Sequence, residues 1–454
     1  MKIRHSTKIF RYAVAFAAIA ALCAGLASPA SGQTHATGLT LLRPDELAKI
    51  PPAFTPFSGG ALPRRVDLSP DFPPPGNQGA QSSCVAWATA YALRSYQAHV
   101  RERSPFLKSD GTLDPLRVFS PAFVYNQINN GRDAGSAFPD ALDLMKREGA
   151  APLGLMPYSQ TDFTTLPNAD AVNAASRYRI AFWRQVNVND TIDIKSQLNA
   201  GYPVIIGATI DEGFDQAGKG FVWNHAVGKQ LGGHAMLIVG YDDDRNAFRV
   251  MNSWGQGWGD RGYYWLDYGF FGRVVNEAYV AKDDVQPIVP VTPTPVTPTP
   301  VTPTPVTPTP VPPSADVFDN SSVNIVRVQE NVVDPQTGPG MRFDGTVSIP
   351  AGAAGNLQVV IQLYYDAGGG KKGHFVEAAS PRYAVARVRA ATGTRPFPLA
   401  PGGMRKAWYA FLPYSALKLS VPGSPALVAE PVLYVDKFGV KAGAKRLLKC
   451  ACGR

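Results

Sequence analysis

With 454 residues, the chain is too long for one ordinary domain and calls for two or three folded units plus connections. Its 45% hydrophobic and 17% charged residues exclude a wholly disordered chain. The formal net charge of +9 is unevenly spread: residues 1–30 carry four basic groups and no acid, residues 31–314 carry 23 basic and 26 acidic groups, and residues 315–454 carry 17 and 9. Without a nucleic-acid-binding motif, that distribution speaks against DNA or RNA as a partner.

Lys2, Arg4, Lys8 and Arg11 precede an uncharged, alanine-rich run from Tyr12 to Ala27 and the small residues Ser28, Pro29 and Ala30. This pattern reads as a secretory signal over residues 1–30, and hence as a secreted protein, extracellular or periplasmic. No later segment offers about 18 consecutive apolar residues, so no integral membrane segment is expected after signal removal. Cys84, Cys450 and Cys452 follow the signal, an odd number for an oxidising compartment. Cys450 and Cys452 read as a frayed tail, with a strained disulfide, an interchain bridge or a metal contact as alternatives; two cysteines make no zinc site.

Residues 31–62 form a short leader, and residues 63–285 are long enough for a complete enzyme domain. Pro73, Pro74, Pro75 and Gly76 force an extended or turning chain, and Asn77, Gln78 and Gly79 continue the loop. Ser82 or Ser83 then caps a helix expected from Cys84 through about Tyr96. Small residues at Ala86, Ala88, Ala90 and Ala92 allow that helix to pack closely inside a core. A thiol in its first turn meets the positive end of the helix dipole, which favours thiolate. A buried structural cysteine is the competing reading.

A thiolate catalyst needs an imidazole partner, and His99, His225 and His234 lie within the domain. His234 follows Gly232 and Gly233 and precedes the apolar run Ala235 to Tyr241, which reads as a buried strand able to fix the ring. His99 and His225 read as structural. A polar turn at Asp242 to Asn246 and a returning strand at Ala247 to Met251 deliver Asn252, whose side-chain carbonyl can accept the second imidazole N–H, with Trp254 shielding that bond.

Gln78 stands six positions before Cys84, His234 stands 150 after it, and Asn252 follows His234 by 18. With Leu62 to Asp67, Asn77-Gln78-Gly79, Ser83-Cys84, Gly233-His234-Ala235, Val239-Gly240-Tyr241 and Asn252-Ser253-Trp254-Gly255, residues 62 to 284 resemble the papain-like cysteine peptidases. The resemblance implies an α+β, two-lobed domain: a helical lobe carrying Cys84, an antiparallel β lobe carrying His234 and Asn252, and substrate in the cleft between. It implies peptide-bond hydrolysis through a Cys-His-Asn thioester mechanism, with the Gln78 amide and the Cys84 backbone N–H as oxyanion hole and no cofactor or metal. Protein or peptide substrates are the implied partners. The family's glycine-pair substrate strand corresponds to Asp133 to Ser136, so Gly135 and Ser136 are expected to bind substrate backbone.

The chain departs from plant and lysosomal members: Gln81 and Val85 stand where those have a cysteine and an aromatic residue, so the usual disulfide is absent. The leader is too short for the family's long helical prosegment. Arg43 to Lys49 reads as an exposed leader, with a short helix covering the cleft as the alternative.

Residues 286–314 include Val-Thr-Pro-Thr-Pro repeated four times from Val291 to Pro310, a polyproline II spacer that separates what it joins. In residues 315–454, short alternating or apolar segments recur at Val323 to Val328, Met341 to Ile349, Leu357 to Tyr365, Tyr383 to Val388, Ala407 to Phe411 and Val428 to Val435. They read as an all-β sandwich without a catalytic set, an accessory domain for binding, anchoring or stabilising work, with a cell-envelope polymer or surface as its candidate partner. Tyr364, Tyr365, Trp408 and Tyr409 are glycan-contact candidates, although strand aromatics are more often core. The leading reading is a secreted thiol endopeptidase; a non-catalytic peptide-binding protein or adhesin, and a thioester-dependent acyltransferase, are the alternatives.

Overall fold

The computed structural model describes residues 35–54, 62–283, 318, 320–353, 355–379, 384–385, 389–399, 402–420, 425–436 and 438–449. The expected signal, the Pro/Thr linker and the Cys450 and Cys452 pair lie outside them.

Two lobes build the first part of the chain. After a leader with the short helix α1 (Pro44–Leu47) and the strand β1 (Arg65–Asp67), the helical lobe is organised on α2, a continuous helix made of Cys84–Ala86, a π-helical stretch Trp87–Arg94 and Ser95–Glu102. The expected helix therefore runs about two turns further than Tyr96 and stops at Arg103, which adopts a left-handed conformation (φ 55°). Every residue from Cys84 to Ala98 is buried. Alanines at every second position from Ala86 to Ala92 let neighbouring elements approach a helix that is covered on all sides.

Helices α3 (Pro121–Ile128), α4 (Phe138–Arg147) and α5 (Ala169–Ala175) complete the lobe. The start of α3 follows from its sequence: Pro121 sits in the first turn, and the Ser120 hydroxyl accepts the Phe123 N–H at 3.1 Å.

The second lobe is a sheet of eight strands. It comprises β1, β2 (Ile180–Gln185), β3 (Val204–Asp211), β4 (Val222–Trp223), β5 (Gln230–Asp242), β6 (Ala247–Met251), β7 (Tyr263–Asp267) and β8 (Val275–Asp283). Its order is β2-β8-β3-β5-β6-β7-β4, with β1 pairing β5; all pairs are antiparallel except β4 with β7. Helices α6 (Thr191–Asn199), α7 (Glu212–Asp215) and α8 (Tyr268–Val274) sit in its connections. The apolar run after His234 is the buried centre of β5, and the polar turn at Asp242 to Asn246 joins β5 to β6 as a hairpin. Asn246 takes the left-handed conformation there (φ 54°).

The lobes are riveted behind the cleft. Fully buried Arg94 of α2 reaches Asp283 at the end of β8, Arg101 bonds the same carboxylate at 3.1 Å, and the Gln97 amide donates to the Ala281 carbonyl at 2.9 Å.

The C-terminal region is a β sandwich. One sheet has three strands, Ser322–Asp334, Gly338–Ile349 and Met404–Pro413, and the other ten, centred on Asn356–Asp366 and Ala426–Val435. Alternation points Met341, Phe343, Val347 and Ile349 from the first sheet, and Val359, Ile361 and Leu363 from the second, into one core. Tyr364, Tyr365 and Trp408 are core residues; Tyr409 is 63% exposed, with Arg342 stacked on its ring at 4.6 Å.

The sandwich also packs on the β lobe, and the described residues from Ala36 onward belong to one compact unit. Phe318 meets Phe182 edge-on with centroids 5.6 Å apart. This contact buries apolar surface between the two.

Asp283→Ala would leave the Arg94 guanidinium buried with its main countercharge gone, which typically costs about 3 kcal/mol or more. Urea denaturation followed by tryptophan fluorescence should show that loss, and a smaller one for the paired replacement Arg94→Met with Asp283→Leu. Equal stability of Asp283→Ala and the parent would mean that the ion pair does not hold the lobes.

Candidate functional site

Cys84 opens α2 at the junction of the lobes. Its helix begins without the expected serine side-chain cap: Ser83 is the N-cap, but its hydroxyl bonds the Tyr158 hydroxyl at 2.8 Å, and the first helical bond runs from the Trp87 N–H to the Ser83 carbonyl. The backbone N–H groups of Ala235, Val85 and Cys84 itself lie close enough to the Cys84 sulfur to favour its anion. The start of α2 packs on β5, which brings the sulfur near the residue immediately after His234.

The helix start was expected to favour thiolate. In this structure the side chain is fully buried, and burial pushes the thiol up to about 12 against the opposing pull of those N–H groups. Desolvation outweighs the donors because a buried anion loses more hydration than two or three backbone amides restore.

His234 is equally buried. Its Nε2 lies 2.7 Å from Asn252 Oδ1, so an Nε2–H donates to the amide oxygen and Nδ1 is the basic nitrogen. The Ser253 N–H donates to the same oxygen at 2.8 Å, fixing the amide that fixes the ring. Trp254 covers the pair, its ring 4.7 Å from the imidazole, and is itself wedged between Phe214 and Trp258. His225 is exposed, and His99 stacks on Phe106 with Nδ1 2.8 Å from the Ser104 carbonyl, which fits the structural reading of both.

Gln78 is held by a zipper that its neighbours in sequence do not announce. The loop around it pairs with the segment after Asn252 through Gln78 N–H to the Ser253 carbonyl (2.8 Å), Gly255 N–H to the Gly76 carbonyl (2.8 Å) and the Asn77 and Trp254 bridge. The Ser253 hydroxyl donates to Gln78 Oε1 at 2.7 Å. That bond determines which end of the amide faces the cleft, since a hydroxyl donor selects the oxygen and leaves the NH2 pointing away. Ser253 was thus missed as a positioning residue, and its adjacency to Asn252 was the available signal.

The Gln78 NH2 donates to chain carbonyls of the leader, Ala36 at 3.1 Å and Thr37 at 3.3 Å, as well as to Gln81 at 2.9 Å. Trp254 Nε1–H donates to the same Ala36 carbonyl at 3.0 Å. Beyond it, the leader bonds both walls: the Gly38 and Leu39 N–H groups donate to the Gly233 carbonyl, Ser136 N–H donates to the Gly38 carbonyl at 2.9 Å, and Thr40 N–H donates to the Ser136 carbonyl at 3.0 Å. A Cβ on Gly38 would sit 2.2 Å from the Ser82 carbonyl oxygen, and one on Gly135 the same distance from the Gly38 carbonyl oxygen, so both glycines are needed for this approach.

The leader is accordingly no exposed arm. Helix α1 has no buried residue, but residues 36–40 lie in the cleft, bonded to Gln78, Ser136 and Gly233 around the buried Cys84 and His234. Gly135 and Ser136 face the leader, with Ser136 bridging Leu39 in parallel sense. Asp133 holds their loop in place by accepting the Ser82 N–H at 2.8 Å and the Tyr125 hydroxyl at 2.6 Å.

Leu39 extends into a pocket with Phe138, Gly207 and Glu277 on its walls. Glu277 is fully buried and accepts the Tyr279 hydroxyl at 2.6 Å; burial pushes its carboxyl up to about 7 against the opposing pull of that hydroxyl and of the leader's Leu42 N–H. Among the described residues no cluster of His, Cys, Asp and Glu is arranged to hold a metal, and no helix is long and apolar enough to cross a membrane.

Residues 62–286 match the sequence model of a family described as "Papain family cysteine protease". An uncharacterized peptidase C1-like protein of Acanthamoeba polyphaga mimivirus is 26% identical over 229 residues, 47% of this chain and 71% of that protein. Mouse cathepsin K is 24% identical over 236 residues, 47% of this chain and 65% of that protein. Among solved structures, xylellain, a cysteine protease from Xylella fastidiosa, matches with 23% identity and a TM-score of 0.47, over 55% of this chain and 96% of that one.

The raised Glu277 carboxyl sets a pH dependence of leader binding. It favours the protonated group while the leader covers it; withdrawal hydrates the carboxyl and returns it toward its ordinary 4.5. The stabilisation of the covered state is therefore full below about 4.5 and is lost as pH rises through about 7. Cys84 alkylation by iodoacetamide should be compared between the parent and Glu277→Gln, which stays neutral. The parent-to-variant rate ratio is expected to rise across that window, and a flat ratio would rule Glu277 out as the coupled group.

Proposed function

Because residues 62–286 belong to the papain family of cysteine proteases, we propose that the protein is a secreted endopeptidase that hydrolyses peptide bonds at Cys84 once the leader has left the cleft. The observation that carries this reading is the cross-lobe constellation. The Cys84 sulfur lies against the Ala235 N–H, His234 precedes that residue, and the Asn252 amide orients the imidazole from 2.7 Å.

With water admitted, the desolvation that holds the thiol up is relieved, and its proton passes to His234. The sulfur then attacks the substrate carbonyl carbon. The C–S bond forms, the carbonyl oxygen takes up negative charge, and the Gln78 NH2 and Cys84 N–H donate to it. The C–N bond breaks as His234 returns its proton to the departing amine. Water, deprotonated by His234, then adds to the thioester and releases the carboxylic acid and the Cys84 thiol.

The Ala36 carbonyl on the Gln78 amide supports the oxyanion assignment, since the group that would polarise a substrate carbonyl already binds a carbonyl of the chain itself. Ser136 would hold substrate backbone as it now holds Gly38 and Thr40, with Gly135 leaving room for that approach. Secretion rests on the sequence of residues 1–30, and the C-terminal sandwich is assigned binding to a cell-envelope polymer or surface.

The test uses the full chain with a site-specific protease sequence in place of the exposed α1. Cutting it should release casein hydrolysis that Cys84→Ala lacks. Gln78→Ala should lose roughly 100-fold to 1000-fold in kcat, the usual consequence of removing one oxyanion donor. Folded, cut protein with no thiol-dependent cleavage would defeat the hydrolase reading. Products joined to an added amine would replace it with acyl transfer.

A further inference from the structure

The leader is gripped at two places. Its near end lies in the cleft. Its far end, residues 51–54, extends the free edge of the main sheet: Gln185 N–H on β2 donates to the Pro51 carbonyl at 3.0 Å and Ala53 N–H donates to the Gln185 carbonyl at 2.6 Å. Phe54 then leaves the peptidase sheet and bridges Gly439 of the sandwich in antiparallel sense. Its ring joins Leu62 and Ile192 over an apolar patch of the sandwich made by Val360, Ala391, Val432 and Tyr434.

Charges flank this seam. Arg389 of the sandwich, side chain 8% exposed, pairs with Asp190 and with Asp193 (2.8 Å) at the start of α6. On the other side Lys282 pairs with Asp436 at 3.2 Å, and the Tyr202 hydroxyl donates to the Asp436 carbonyl at 2.7 Å.

We infer that this face of the C-terminal sandwich is an internal docking surface for the leader, clamping residues 51–54 against the β lobe and thereby holding residues 36–40 in the cleft. The coupling is through chain length. Helix α1 has no buried residue, and Leu41, Leu47 and Ile50 are only partly buried against the core of the helical lobe, so the cleft segment is retained by its own bonds, by that shallow packing and by how closely its next firm attachment confines it. With the clamp closed that attachment is at Pro51; with it open the next is the strand at Arg65, and the tether roughly doubles. A doubled tether lowers the effective concentration of the leader at the cleft about threefold, before any bond lost at the clamp is counted. Calling the clamp a brake on turnover rests on the peptidase reading; the grip itself does not.

Two variants of the full chain separate these. Gly439→Ala places a Cβ 2.4 Å from the Phe54 Cβ and so pushes the leader off, while leaving the Arg389 pairs in place. Asp190→Asn with Asp193→Asn removes the charges facing Arg389 but keeps an asparagine at the α6 cap, where Asp190 Oδ1 accepts the Ile192 N–H. Iodoacetamide labelling of Cys84, read by mass spectrometry on its own peptide, should accelerate about threefold or more in each variant that circular dichroism shows to be folded. Labelling at the parent rate in both would overturn the clamp. Faster labelling with no gain of peptide hydrolysis would uphold the clamp and count against the peptidase reading instead.

Discussion

The contact between the start of α2 and the centre of β5 is what the rest of the molecule serves. A sulfur on one lobe meets the Ala235 N–H on the other, beside His234. Nothing local forces that meeting. It depends on a wholly buried helix seated against a sheet, and on the Arg94, Arg101 and Gln97 contacts that fix the seat from behind. Small shifts there would misplace a nucleophile relative to its base, which is why so much of the cross-lobe bonding is buried and charge-assisted.

The same burial makes the site dormant. A thiol and an imidazole that are both fully enclosed cannot hold an ion pair cheaply, and the Cys84 thiol is pushed up accordingly. Residues 36–40 occupy the same cleft, bonded to the Gln78 NH2, the Ser136 backbone and the Gly233 carbonyl. Catalytic readiness and leader occupancy are therefore alternatives in one cleft. The sandwich, docked by Arg389 and by the Phe54 bridge, stands on the side of occupancy.

Much of the site was legible because its chemistry is carried by residue types with few other reasons to stand where they do. Gly232 and Gly233 before His234, a β-rich apolar run after it, and Asn252 at the end of the returning strand predict a hairpin presenting an imidazole and its acceptor, and β5 and β6 form it. The alternating segments of residues 315–454 likewise predict strands, and the long ones form. The short strands between them, such as Glu377–Ala378 and Phe397–Pro398, carry two residues each and leave no period to read. Three of the four strand aromatics proved to be core for the ordinary reason that a sandwich has an interior to fill.

From sequence alone came the candidates for nucleophile, base, orienting acceptor and oxyanion donor, because reaction chemistry restricts which side chains serve and the strand and helix periods restrict where they point. Tertiary structure alone decided whether those groups are available. The leader's course, the Ser253 hydroxyl that turns Gln78, the full burial of the Glu277 carboxyl near Leu42 and the docking of the sandwich all join residues remote in the chain. Such contacts leave no periodicity in any one segment; they arise only when apolar faces and unpaired backbone donors from separate elements find each other in the fold.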